Sequence, residues 1–278
     1  MNSSEWSLLF FTLTGQFSAG ITLALFIFYS FSKNSNQIKS TLVLHHGLII
    51  ASLSIIIALF ISFLHLSSPF SSVYALSNLN DSWLSREIFM VSAYALVIVL
   101  VTLYVWKAKY KTYIKSLLLL STLLGFAMVY SMGRLYMIET VPVWNTPETL
   151  IVFYINTIVL GLSFILAFYA DKIYEKIEKS FLIIILLTLI LKLSTYYLSW
   201  GTEINDNIAF THQQIPAIWN ILWWFWIPGF VLIISIYLKK DFGIKTRSRL
   251  YRYAFILFVI AEIAARVIFY SSYYRLGI

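Results

Sequence analysis

The sequence predicts an all-α, polytopic integral membrane bundle of eight transmembrane helices with both termini outside. Three observations predict it. Of 278 residues, 60% are hydrophobic and 12% are charged, with a mean hydropathy of +0.82, whereas a soluble domain is about 25% charged. Eight apolar stretches reach the roughly 20 residues that a helix needs to cross a bilayer. The loops between them alternate in charge. A soluble enzyme and a disordered chain are thereby excluded. With no cysteine, the chain itself has no disulfide, thiolate nucleophile or cysteine-ligated cluster.

The spans cover residues 6–31, 41–65, 87–106, 115–138, 149–170, 180–199, 217–238 and 252–272, and no repeat or linker divides the membrane domain 1–278. None alternates as a barrel strand does, and backbone groups in lipid must be paired internally, so the spans are helices. Span 1 has no basic leader and is longer than a signal-peptide core, so it is expected to remain as a helix. Span 2 carries His45 and His46 near one end and closes on His65. Span 3 opens on Glu87, directly after Arg86, and span 4 carries Arg134 about one turn from its end. Span 5 follows Pro147, and span 6 contains Lys192. Span 7 holds the run Trp223-Trp224-Phe225-Trp226, read as packing or lipid-facing surface, and span 8 carries Glu262 and Arg266.

Charge sets the orientation. The odd-numbered loops hold 15 of the 20 basic residues, from Lys33 and Lys39 in the first to the run Lys239–Arg252 in the last. By the positive-inside rule these loops are cytoplasmic. The basic excess is therefore a topology signal rather than a sign of nucleic-acid binding. The run 239–252 can also meet anionic lipid.

Ionisable groups at membrane depth are energetically unfavourable and mark candidate sites. His65, Glu87 and Arg134 fall near the outer face, with Gln16 about 15 Å down span 1 from that face. Glu262 and Arg266 fall in the middle and outer half of span 8. Polar groups from five helices thus converge on the outer half. Each also has a plain structural reading. Glu262 and Arg266 are spaced to neutralise each other, Lys192 can snorkel or pair with a buried acid, and Gln16 can tie helices together. A haem bridging two helices needs two histidines at matched depth on different helices. His45, His46 and His65 share span 2 and His212 lies in a loop, so no haem is expected.

Several segments resemble the dimethyl sulfoxide reductase membrane-anchor family. Glu5-Trp6-Ser7-Leu8, continuing to Gln16 and Ala19-Gly20, is similar to its opening. His65-Leu66-Ser67-Ser68-Pro69, then Ala75-Leu76-Ser77-Asn78-Leu79 and Ser82-Trp83-Leu84-Ser85-Arg86-Glu87-Ile88, is similar to its second loop. Arg134-Leu135-Tyr136 with Thr140-Val141-Pro142-Val143-Trp144 resembles its helix 4 exit, and Glu262, Arg266, Phe269 and Tyr270 its last helix. The chain departs from the family at Ser67, where glycine is usual, and at Ser71, where a basic residue is usual. Arg86 can supply that charge.

The resemblance implies a subunit in the bacterial inner membrane that binds and oxidises menaquinol and passes electrons on in anaerobic respiration. Its partners would be a ferredoxin-like iron–sulfur subunit and a molybdopterin catalytic subunit on the periplasmic side, with the lipid bilayer around it. This chain would hold no haem, no iron–sulfur cluster and no molybdenum. Glu87 is expected to be the base that accepts a quinol proton, with His65 as the second partner. Gln16, Arg86, Arg134, Tyr136, Glu262 and Arg266 are expected around the quinol. The alternative is a non-redox transporter or channel lined by Glu262 and Arg266. No inverted repeat and no pair of broken helices supports it.

Overall fold

The computed structural model describes residues 3–32, 37–63, 76–107, 112–141, 144–203, 215–239 and 242–271. Among them are eight α-helices and no strand: α1 (Ser3–Phe31), α2 (Gln37–Phe63), α3 (Trp83–Lys107), α4 (Ile114–Tyr136), α5 (Pro147–Tyr169), α6 (Glu175–Glu203), α7 (Ile215–Leu238) and α8 (Ile244–Ser271). A 3-10 turn, Leu76–Asn78, precedes α3. Six of the eight (α1 to α5 and α8) are long and apolar enough among the described residues to cross a membrane, and α7 adds the apolar stretch Phe225–Leu238. The protein is a polytopic helical membrane bundle.

The boundaries differ from the sequence expectation where local caps decide them. α3 starts at Trp83 instead of residue 87. The Ser82 hydroxyl accepts from the Ser85 amide (3.3 Å), and the Arg86 amide donates to the Ser82 carbonyl (3.1 Å). Ser82 is thus an N-cap that satisfies an otherwise orphaned donor, and Glu87 sits in the second turn. α5 begins at Pro147, behind an extended Thr146, because proline at the first helical position surrenders only a donor that has no helical partner anyway. α8 begins at Ile244 rather than 252, so Lys245, Arg247, Arg249 and Arg252 lie on its first turns rather than in a loop.

α1 and α5 form the centre. In each, 72% of the most apolar stretch is buried within the protein, against 33% for α2 and α3. Helices α2, α4 and α5 pack on α1, while α6 and α8 pack on α5, α3 joins α2 and α4, and α7 lies along α8. Lipid is as apolar as leucine, so burial alone gives helices little reason to associate in it, and small residues that admit close packing take over. Gly20 of α1 and Gly161 of α5 meet backbone to backbone. A Cβ on Gly161 would lie 1.9 Å from the Gly20 carbonyl carbon, and one on Gly20 would lie 2.0 Å from the Thr157 oxygen.

A hydroxyl knot fastens α3 to this core. Tyr94 Oη lies 2.9 Å from Ser18 Oγ and 2.8 Å from Thr22 Oγ1, and Ser18 donates to the Ala51 carbonyl of α2 at 2.7 Å. The start of α1 and the end of α8 lie at the same end of the bundle, where Thr12 approaches Tyr270. We refer to this as the terminal end.

Candidate functional site

The terminal end gathers polar and aromatic side chains from α1, α3, α4, α5 and α8. Tyr136, the last residue of α4, hydrogen-bonds through its hydroxyl to that of Tyr270 on α8 at 2.7 Å. Trp144, in the turn before α5, stacks on Phe269 (5.0 Å between centroids) and donates its indole N–H to the Phe269 carbonyl at 2.9 Å. Tyr136 sits edge-on to both rings. The α4–α5 turn is thereby pinned to the end of α8.

Glu87 of α3 is 5% exposed, and its Oε1 is buried without a hydrogen-bond partner among the described residues. It lies within electrostatic reach of Tyr136 and Tyr270. A buried carboxyl oxygen with no hydrogen-bond partner is uncommon in a folded protein, which makes Glu87 a candidate site residue.

Arg266, also buried, donates from Nη2 to Gln16 Oε1 at 2.8 Å. Its guanidinium lies 3.8 Å from the centroid of the Phe153 ring. This cation is held by one neutral amide and a π face rather than by a carboxylate. Arg266 Nε and Gln16 Nε2 are both buried donors with no hydrogen-bond partner among the described residues. A cation so placed can polarise a ligand oxygen without first being released from an ion pair.

Glu262, one turn deeper on α8, does not pair with Arg266 despite the spacing. Its Oε1 accepts from Lys192 Nζ of α6 at 2.8 Å. The same ammonium donates to Asn156 Oδ1 of α5 at 3.2 Å and lies 3.4 Å from the centroid of Trp226. Of the two sequence readings of Lys192, pairing with a buried acid is the one the structure has. Trp226 continues into Phe230 and Phe258, so the packing reading of the aromatic run holds at that residue.

Arg86 and Arg134 both lie against the Trp83 ring. Their guanidinium carbons are 4.3 and 5.0 Å from its ring centroid. Arg86 donates from Nε to the Leu79 carbonyl at 2.8 Å and from Nη2 to the Asn80 carbonyl, which fastens the loop before α3. Arg134 is half-buried and reaches Met137 Sδ at 3.9 Å. The structure therefore brings together Gln16 and Arg266, and groups Glu87 with Tyr136. It sends Glu262 to a separate cluster and places Arg86 and Arg134 around Trp83. His65 lies outside the described residues, as does His212.

Sequence reasoning did not single out Asn156 or Phe153, and it missed a clamp at the opposite end. There, buried Glu178 of α6 accepts from Arg247 and from Tyr251 Oη (2.5 Å), both on α8. The available signal was an acidic first turn in one helix facing a basic first turn in another.

Residues 1–272 match the family model described as DMSO reductase anchor subunit (DmsC). Over 158 residues the sequence is 29% identical to the anaerobic dimethyl sulfoxide reductase chain YnfH of Escherichia coli (strain K12), covering 56% of this chain and 55% of that protein. The match thus spans about half the length of that relative. No solved structure matches.

Proposed function

The chain belongs to the DMSO reductase anchor subunit family, and on that premise we propose that it oxidises a quinol at the terminal end of the bundle. The observation that carries the reading is Glu87, a buried carboxyl group whose Oε1 has no hydrogen-bond donor among the described residues. A quinol is a double proton donor with an apolar body, and it supplies the missing group. Gln16 Nε2 and Arg266 Nε, buried donors without partners among the described residues, suit an oxygen that turns from hydroxyl to carbonyl. The aromatic set Tyr136, Trp144, Phe153, Phe269 and Tyr270 offers flat apolar surface beside them.

In this reading Glu87 takes a proton from one hydroxyl as general base. Arg266, steadied by Gln16 and Phe153, stabilises the negative charge that builds on oxygen as the proton leaves. Both O–H bonds break, two protons go towards water at the terminal end, and two electrons leave the ring, which becomes a quinone. His65 is proposed as the acceptor of the second proton. The electrons pass to an iron–sulfur cluster of a ferredoxin-like partner subunit, and from there to a molybdopterin subunit. The basic charge of the odd-numbered loops supports a reading in which that face lies outside the bacterial inner membrane. Menaquinol is the proposed quinol. Arg86, Arg134 and Trp83 are proposed to shape the loop through which it or the partner approaches.

The test uses the assembled complex. Glu87→Gln is expected to lower oxidation of 2,3-dimethyl-1,4-naphthoquinol by about 10²–10⁴-fold, while reductase activity with reduced viologen, which bypasses the anchor, is retained. Naphthoquinol oxidation at the parent rate by an assembled Glu87→Gln complex would remove Glu87 as the base.

A further inference from the structure

Opposite charges one helical turn apart ordinarily find each other, because their Cβ atoms are about 5–6 Å apart. Glu262 and Arg266 have that spacing, are both buried, and do not pair. Lys192 is the reason. Two cations and one carboxylate share this part of the bundle, so one cation must go without a carboxylate. Lys192 reaches Glu262 from α6, and three contacts fix it there: Glu262 Oε1 at 2.8 Å, Asn156 Oδ1 at 3.2 Å and the Trp226 ring at 3.4 Å. Arg266 is left to Gln16 and Phe153. Two further atoms bear on what removal of Lys192 would allow. Glu262 Oε2 and Arg266 Nε, one helical turn apart, are both buried and have no hydrogen-bond partner among the described residues.

We propose that Lys192 is a positioning residue for the quinol site. By occupying Glu262 it keeps Arg266 from turning back onto that carboxylate, and so keeps the guanidinium free of a carboxylate partner and seated beside Gln16. The inference rests on the quinol reading above, and it assigns to α6, none of whose described side chains joins the terminal cluster, a role in holding the reactive geometry.

The claim is directional, and that separates it from a plain structural ion pair. Loss of Lys192 frees Glu262 to quench Arg266, whereas loss of the Glu262 charge leaves Arg266 where it is. KM and kcat for 2,3-dimethyl-1,4-naphthoquinol are measured on assembled complexes, with reduced-viologen activity as the measure of assembly. Lys192→Met is expected to raise KM about tenfold or more, the scale of a lost hydrogen bond to a charged group. Glu262→Gln is expected to raise it several-fold less. The double variant Lys192→Met/Glu262→Gln is expected to return KM towards the parent value, since no carboxylate is left to capture Arg266.

Lys192→Gln keeps a donor for Glu262 without the charge, and takes the place of Lys192→Met if that variant does not assemble. Equal KM effects of the Lys192 and Glu262 single variants, or a parent-like KM for the Lys192 variants, would overturn the inference. Arg266→Gln tells the two levels apart. A raised KM there with an unchanged KM in Lys192→Met defeats the inference alone. An unchanged KM in Arg266→Gln defeats the placement of quinol at this cluster as well.

Discussion

The contact between Gly20 and Gly161 makes a sharp prediction. In Gly161→Ala the new methyl would sit 1.9 Å from the Gly20 carbonyl carbon and 2.1 Å from its oxygen. Carbon atoms in ordinary contact are about 3.5–4.0 Å apart, so α1 and α5 must separate locally by roughly 1.5–2 Å. The obstacles are backbone atoms, which cannot rotate aside. Overpacking costs about 1–3 kcal/mol, and the upper end applies to a rigid contact between the two central helices. Alanine recovers about 1 kcal/mol over glycine in helix propensity, leaving a net loss of about 2 kcal/mol, or roughly 4–8 °C in unfolding temperature for a chain of this size. Gly15→Ala, on α1, is the control. Its methyl meets chiefly the terminal methyl of Met132, at 2.9 Å, and a flexible thioether can move away. Thermal unfolding in mild detergent compares the two variants. Because Gln16 is one turn from Gly20 and Phe153 two turns from Gly161, the separation also loosens both supports of Arg266, and naphthoquinol KM should rise in Gly161→Ala. An unfolding temperature for Gly161→Ala no lower than that of Gly15→Ala would refute the close-packing argument.

Two further predictions concern the opposite end and the orientation. Tyr251→Phe removes the hydroxyl that donates to Glu178 at 2.5 Å and should lower stability by about 1.5–3 kcal/mol in the same unfolding assay. Its naphthoquinol KM should stay at the parent value, because the clamp is far from Glu87; a changed KM would mean that the two ends are coupled. Since the parent chain has no cysteine, single substitutions report topology cleanly. In right-side-out vesicles a membrane-impermeant maleimide should label Asn80→Cys and spare Lys179→Cys, and the reverse pattern would invert the orientation drawn from the loop charges.

Much of the candidate site was legible because ionisable side chains are rare within the spans. Glu87, Gln16, Arg266, Glu262 and Lys192 stood out against leucine and isoleucine without any structure. Their grouping was legible only as shared depth. Spacing along α8 suggested Glu262 with Arg266, and the bundle paired each elsewhere. Arg86 looked like a replacement charge for the site, but its guanidinium is taken up by the Leu79 and Asn80 carbonyls and the Trp83 ring. Glu178 drew no notice because an acid in a first turn reads as a helix start, and the partners that make it a clamp are 69 and 73 residues further on.

The sequence by itself determined the architecture class, the approximate spans and the family. Those follow from a local constraint: a chain in lipid must satisfy its own backbone, so each sufficiently apolar run becomes a helix wherever its neighbours lie. Helix ends were set almost as locally, by Ser82 and Pro147. Only the tertiary structure decided which charges meet. The Arg266–Gln16 bond joins residues 250 positions apart and the Lys192–Glu262 bond residues 70 apart. Each depends on how α1, α5, α6 and α8 rotate and approach, and the Gly20–Gly161 contact sets that approach between α1 and α5. In a low-dielectric interior a buried charge takes the partner that packing brings within reach, and no spacing within a single helix encodes that choice.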